Sequence, residues 1–212
     1  MDLPLFARGS VLGFSVAAVV GPIALLCIRR TLSAGFGVGF VSGLGAATAD
    51  ASYAAVAGFG ISAVAAVLVD QRVWLRVLGG IFLVYLALRT VRAAPAERLL
   101  SADAAASAMR LAGAYSSTLA LTLSNPMTIL SFAGIFAGLG LGSLGASSAA
   151  SAVDLVVGVF VGSAVWWLLL ASLIARLRRR VTPRWLRRVN VASGLIILGF
   201  GVQSLVSAGL SS

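Results

Sequence analysis

Charge is almost absent from six long stretches of this 212-residue chain, and that absence decides what it can fold into. A helix needs about 20 apolar residues to cross the hydrocarbon core of a bilayer. Inside lipid every backbone N–H and C=O must be satisfied within the segment, so such a run has to be helical. The runs cover roughly residues 5–28, 38–68, 74–88 (with a turn added at either end), 111–139, 153–175 and 189–207. The second is longer than a span requires and is expected to tilt, or to break near Gly58-Phe59-Gly60. The expected fold class is therefore all-α: a polytopic integral membrane protein of six transmembrane helices, forming one transmembrane domain over residues 1–212. Composition agrees, since 10% of the residues are charged where a soluble domain carries about 25%.

A formal net charge of +10 invites a nucleic-acid reading, but the pattern excludes it. All 16 basic residues are arginines, and they sit in the gaps between apolar runs. The gaps after the first, third and fifth runs hold 13 of them, while Arg8, Arg72 and Arg76 fall on the other side. The positive-inside rule turns these three gaps toward the cytoplasm and both termini outward. The partners to expect are anionic lipid headgroups and a small-molecule substrate. A homodimer is left open. Cys27 is the one cysteine and histidine is missing. No disulfide, histidine metal site, catalytic Ser-His or Cys-His pair or cofactor is expected, which argues against an intramembrane enzyme or electron carrier. The first apolar run passes Gly21-Pro22 and stops at Arg29-Arg30, too long for a signal-peptide core. A Gly-rich turn (Ser33, Gly35, Gly37) follows it. Residues 89–110 read as a polar segment with room for an interfacial helix, residues 140–151 as a Gly/Ser loop, and residues 176–188 as a basic loop.

Two halves of three spans each have opposite orientation, as in many secondary transporters, whose substrate site lies between the halves. The halves here would be about residues 1–92 and 111–212, joined by a cytoplasmic loop. Gly21-Pro22 and Asn125-Pro126 stand 104 positions apart, and Val77-x-x-Gly80 is matched by Val191-x-x-Gly194. The second and fifth spans do not align.

A few residues do not belong in lipid. Asp50 lies twelve residues after Val38, about 18 Å along a helix and so near the middle of the membrane. A carboxylate there costs roughly 2.5–3.5 kcal/mol on insertion scales, which marks it as functional by default. It can carry a proton or hold a substrate ammonium; the plainer reading is a hydrogen bond to a neighbouring span. Proline removes a backbone donor and clashes with the preceding turn, so Gly21-Pro22 and Asn125-Pro126 are expected to break their helices. Irregular backbone at membrane depth survives where it lines protein or water, and a helix restarting there would attract a carboxylate. Asn125 adds a side-chain amide flanked by Thr122, Ser124 and Thr128. Tyr53 lies three residues from Asp50, on the same helix face. Trp166 is a further candidate for a cavity wall, ahead of Tyr85, Trp167 and Gln203. The glycines spaced by four, Gly35, Gly39 and Gly43 and also Gly158 and Gly162, read as packing surfaces. Asp154 reads as a charge at a helix N-terminus, and Cys27 as a small apolar filler.

Residues 21–35 read Gly-Pro-Ile-Ala-Leu-Leu-Cys-Ile-Arg-Arg-Thr-Leu-Ser-Ala-Gly, followed by Gly39, by Gly43-Leu44-Gly45-Ala46-Ala47-Thr48 and by Asp50. Residues 123–132 read Leu-Ser-Asn-Pro-Met-Thr-Ile-Leu-Ser-Phe. Together, and over nearly the whole chain, these resemble the LysE/RhtB superfamily of amino-acid exporters. The resemblance implies export of amino acids or related small metabolites driven by a proton or ion gradient. It also implies that Gly21, Pro22, Asp50, Asn125 and Pro126 lie near the transport path. Some exporters of basic amino acids in that superfamily carry a second Asp where this chain has Ser131, and a single buried carboxylate suits a neutral amino acid better. An accessory subunit or scaffold without transport of its own is the alternative.

Overall fold

The computed structural model of the chain describes residues 2–19, 21–58, 72–92, 104–125, 128, 132, 149–178 and 183–209. Among them every regular element is a helix and there is no strand. In chain order the helices are α1 (Leu3–Ala17), α2 (Pro22–Ala34), α3 (Phe36–Gly58), α4 (Arg72–Arg92), α5 (Ala104–Leu123), α6 (Ala149–Arg178) and α7 (Pro183–Gly209). Of the described helices, Ala149–Leu177 is long and apolar enough to cross a membrane unbroken, and α1 and α2 pass the same test together as a bent pair.

The first apolar run is thus two helices, with axes 79° apart. The cause is local. Gly21 is extended (φ −138°, ψ −166°) and Pro22 opens α2 as its first residue, a position where its missing N–H is lost to the helix anyway. The run also goes on past Arg29-Arg30, which lie inside α2 and not in a loop. It stops at Gly35, whose φ of 99° is open to glycine and strained for other residues. That one residue turns the chain into α3, so the turn is shorter than the sequence implies. Helix α5 starts at Ala104, absorbing the end of the supposed polar segment, and stops at Leu123, with Ser124 and Asn125 outside helix and Thr128 helical again. The breakpoint proposed at residues 58–60 falls at the end of the described part of α3, and residues 140–148 and 179–182 lie outside the described residues.

Close contacts give the helix directions. Gly158 packs on Phe6 and Gly162 on Ser10, so α1 and α6 run parallel. Gly45 packs on Tyr115, and Tyr53 bonds to Leu123, so α3 and α5 are parallel too. Gly43 meets Trp167 while Asp50 meets Ser163, so α3 and α6 are antiparallel. Helix α4 pairs with α7, where Gly194 lies against Val91. One core cluster takes residues from all seven described helices, among them Ala17, Leu26, Ala46, Leu83, Leu121, Trp167 and Ile197.

The surface inverts the pattern of a water-soluble protein. Val153, Val157, Val161 and Val165 form an exposed stripe along α6, and Leu78, Ile81, Tyr85 and Leu88 form another on α4. Ser42, Asp50, Thr118, Thr122, Asn125 and Ser163 are buried. Polar groups inside and apolar groups outside are what lipid demands.

Candidate functional site

The broken first helix, α3, the end of α5, and single residues of α6 and α7 enclose a cavity of about 90 Å³. Gly21, Pro22, Ile23 and Ala24 form one wall, Ala46 and Asp50 a second, Thr122, Asn125 and Thr128 a third, and Trp167 and Phe200 close it. It is mainly apolar, with few polar groups, and is far smaller than the roughly 300–1,000 Å³ of a drug-sized site.

Asp50 is 3% exposed. Among the described residues its carboxyl accepts one hydrogen bond, from Ser163 Oγ to Oδ2 at 2.7 Å. Across the cavity α2 begins. The carbonyl of Gly21 accepts from Leu25 N at 3.1 Å, while the amides of Ile23 and Ala24 are first-turn donors with no intrahelical partner. No side chain caps this helix start, and both residues line the cavity. The positive end of a helix dipole and a buried carboxyl thus share one small space.

The third wall is the frayed end of α5. Thr118, Thr122 and Asn125 lie one turn apart on a single buried face. Asn125 Nδ2 donates to Thr128 Oγ1 at 3.1 Å, and its backbone N–H donates to the Thr122 carbonyl at 3.2 Å. Tyr53 does not line the cavity. Its Oη donates at 2.6 Å to the carbonyl of Leu123, one of the groups left open where α5 ends. Its ring stacks on Phe132 with centroids 5.5 Å apart.

Of the residues singled out in the sequence, the structure gathers Gly21, Pro22, Asp50, Asn125 and Thr128 on this cavity, with Tyr53 behind it. Pro126 lies outside the described residues. Trp166 is placed elsewhere: it meets Phe14 edge to face, centroids 5.4 Å apart, and it is Trp167 that lines the cavity. Both indole N–H groups are buried without an acceptor among the described residues. Tyr85 and Gln203 face outward. Asp154 is past the first turn of α6 and accepts the backbone N–H of Asp2 at 2.5 Å, tying down the start of α1. Two features escaped the sequence reading. Gly9 and Gly13, spaced by four, pack against Gly158 and Val159; that spacing was there to be read. Arg30 points into the protein, which no local pattern announces. Among the described residues no cluster of His, Cys, Asp and Glu could hold a metal ion.

Polar groups inside and apolar groups outside, around a broken helix, mark a membrane protein. The comparisons agree: residues 14–208 match the family model described as LysE type translocator, and the chain belongs to that family. It is a protein of the cell membrane. YcgF of Bacillus subtilis (strain 168), a candidate amino acid efflux protein, is 27% identical over 93% of each chain. The chemotactic transduction protein ChpE of Pseudomonas aeruginosa is 25% identical over 96% of this chain and 98% of its own. No solved structure matches the chain.

Proposed function

We propose that this chain is a secondary transporter that exports amino acids or related small metabolites, coupled to a proton or ion gradient. The observation that carries the reading is the meeting of Asp50 and the uncapped start of α2 on one small, partly open cavity. An amino acid is a zwitterion, with one charge for each of these two groups. Its ammonium goes to Asp50, its carboxylate to the first-turn amides of α2, and Asn125 and Thr128 supply neutral hydrogen bonds. Gly21 and Pro22 hold the helix break open; Pro126 is proposed for the transport path on the family resemblance alone. Tyr53 acts by fixing the end of α5. We leave Trp166 to packing. A cavity with one carboxyl and mostly apolar walls favours a neutral side chain over a cationic one.

We read the architecture as one domain of six spans in two inverted halves, with both termini external. Two findings support this. The directions of α1, α3, α5 and α6 alternate as spans one, two, four and five of such a chain must. The largest helix pairings also survive exchange of the halves: α1 with α6 becomes α5 with α3, while α3 with α6 and α4 with α7 map onto themselves. Gly45 and Gly158 occupy matching places, each against the carbonyl of one residue and the amide of the residue four further on. Asp50 and Ser163, five positions beyond each glycine, then bond across the pseudo-axis. Rocking of the halves around this site would alternate access.

Transport of amino acids into everted vesicles tests the proposal. Asp50→Asn should lower transport about 30-fold, the loss of ~2 kcal/mol of charge-assisted bonding. An Asp50→Asn carrier as fast as the wild type at every pH would sink the role given to Asp50. The second reading, an accessory membrane subunit or scaffold, draws on the name of the Pseudomonas relative. It requires a stoichiometric partner on purification and no transport by the chain alone.

A further inference from the structure

One arginine does more than mark a loop. The guanidinium of Arg30 lies among three helices. Its Nη1 donates to Ser42 Oγ on α3 at 2.9 Å, and to the Ala114 carbonyl and Thr118 Oγ1 on α5 at 2.9 and 2.7 Å. Its Nη2 donates to Ser117 Oγ on α5 at 2.8 Å. Ser42 and Thr118 are fully buried. Helices α2 and α3 belong to the first half of the chain and α5 to the second, so a single side chain joins the two halves. The joint lies two turns along α2 from the cavity wall at Pro22 to Ala24, and on α5 it lies one turn below Thr122, which faces that cavity.

We infer that Arg30 is the latch that closes the transport path at the end of the bundle where α2 turns into α3. The inference rests on the transporter reading and names the residue that positions the two halves for it. A planar guanidinium offers five donors in a fixed fork, which is what pinning three helices at once takes; a lysine ammonium cannot reproduce that geometry. All four of these acceptors are neutral oxygens. Each bond is charge-assisted from the guanidinium side alone, and a neutral hydroxyl or carbonyl is given up to water more readily than an acceptor that carries its own charge. The joint is therefore specific when shut and able to release. The contact across Gly39 brings α2 and α3 together beside the fork: the Thr31 side chain, next to Arg30, rests on Gly39, and its Oγ1 donates to the Cys27 carbonyl at 2.8 Å.

Cys27 makes this testable. It is the one cysteine, it is buried, and it lies a turn from Arg30 on α2. Its alkylation by N-ethylmaleimide, measured on the full-length protein in membrane vesicles without substrate, reports whether the seam is open. Arg30→Gln should speed labelling at least tenfold, and Arg30→Lys should resemble Arg30→Gln more than the wild type. Ser42→Ala with Thr118→Val, which keeps the charge and removes two acceptors, should speed it about threefold and covers the case in which Arg30→Gln does not insert. Labelling at the wild-type rate in either the Arg30 variants or the double variant, with membrane insertion and melting temperature unchanged, would overturn the latch. Absence of amino-acid transport by the wild type would instead overturn the transporter reading, so the two failures are distinct.

Discussion

Helices α1 and α6 meet as α5 and α3 do, in parallel and in equivalent places, yet the two joints are held by different physics. The α1–α6 joint is mainly close backbone and apolar packing, with one hydrogen bond at the start of α1, from Asp2 N–H to Asp154. Gly9 and Gly13 of one helix and Gly158 and Gly162 of the other bring the main chains so close that a Cβ at any of the four would overlap the facing backbone. The α3–α5 joint has a close glycine too, Gly45 against Tyr115, and apolar packing around Ala46, Ala47 and Leu121, but it adds interhelical hydrogen bonds. Tyr53 reaches the Leu123 carbonyl at 2.6 Å, Tyr115 Oη reaches Thr48 Oγ1 at 2.8 Å, and Arg30 ties in from α2. Close van der Waals packing, the larger part of the first joint, is lost as soon as helices part, whereas a hydroxyl can trade its partner for water. On the proposed transporter reading, the first joint is the one to stay shut and the second the one to open; the cavity takes residues from α1, α3 and the end of α5.

The comparison breaks first at the glycines. Gly13→Leu places its Cβ on the Val159 backbone, which cannot move aside as a side-chain tip can. Overpacking costs ~1–3 kcal/mol, and here the upper end or loss of the folded protein is expected. The melting temperature in detergent, followed by fluorescence, should fall more for Gly13→Leu than for any single change in the α3–α5 joint. If Gly13→Leu melts with the wild type, the α1–α6 joint is not the rigid one.

How much of this was readable in the sequence depends on whether a neighbour has to be known. The helical segments, the deep position of Asp50 and the breaks before Pro22 and at Asn125 follow from hydropathy and backbone chemistry alone. Arg29-Arg30 misled, because two arginines after an apolar run normally mark the water boundary. Gly35 sits five residues further on with φ 99°, and this late turn carries Arg30 inward toward hydroxyls on α5 that are more than 80 positions away. The Trp166-Trp167 pair could not be resolved, since neighbouring residues point about 100° apart and only the packed bundle says which one faces in. The pairing of Gly45 with Gly158 and of Asp50 with Ser163 that the proposed inverted halves would require is invisible to a search for like residues, because one member of the second pair is an acid and the other its hydrogen-bond donor.

A smaller effect sharpens the comparison at the polar joint. Tyr53→Phe keeps the ring against Phe132 and removes only the donor to Leu123. Interhelical hydrogen bonds in membranes contribute on average ~0.6 kcal/mol, with a maximum near 1.7. The loss in melting temperature should therefore be modest, while transport falls severalfold because α5 loses the bond that fixes its end at the cavity. The separation of the two readouts matters more than either one. Equal loss of stability and transport would make Tyr53 a packing residue like those of the α1–α6 joint.

The smallest change has the opposite sign and asks whether glycine as such, or its neighbour, makes a joint. Gly113 lies in α5 like the joint residues, but nothing stands within 4 Å of where its Cβ would be. Gly113→Ala removes backbone freedom from the unfolded chain and fills no occupied space, so it should stabilise by about 0.5–1 kcal/mol. A slight rise in melting temperature with transport unchanged is the expected outcome. A loss comparable to that of Gly13→Leu would mean that the helix tolerates no side chain there for reasons of its own. The glycines of α1 and α6 would then owe their importance to conformation, and the close approach of the two backbones would be its consequence and not its cause.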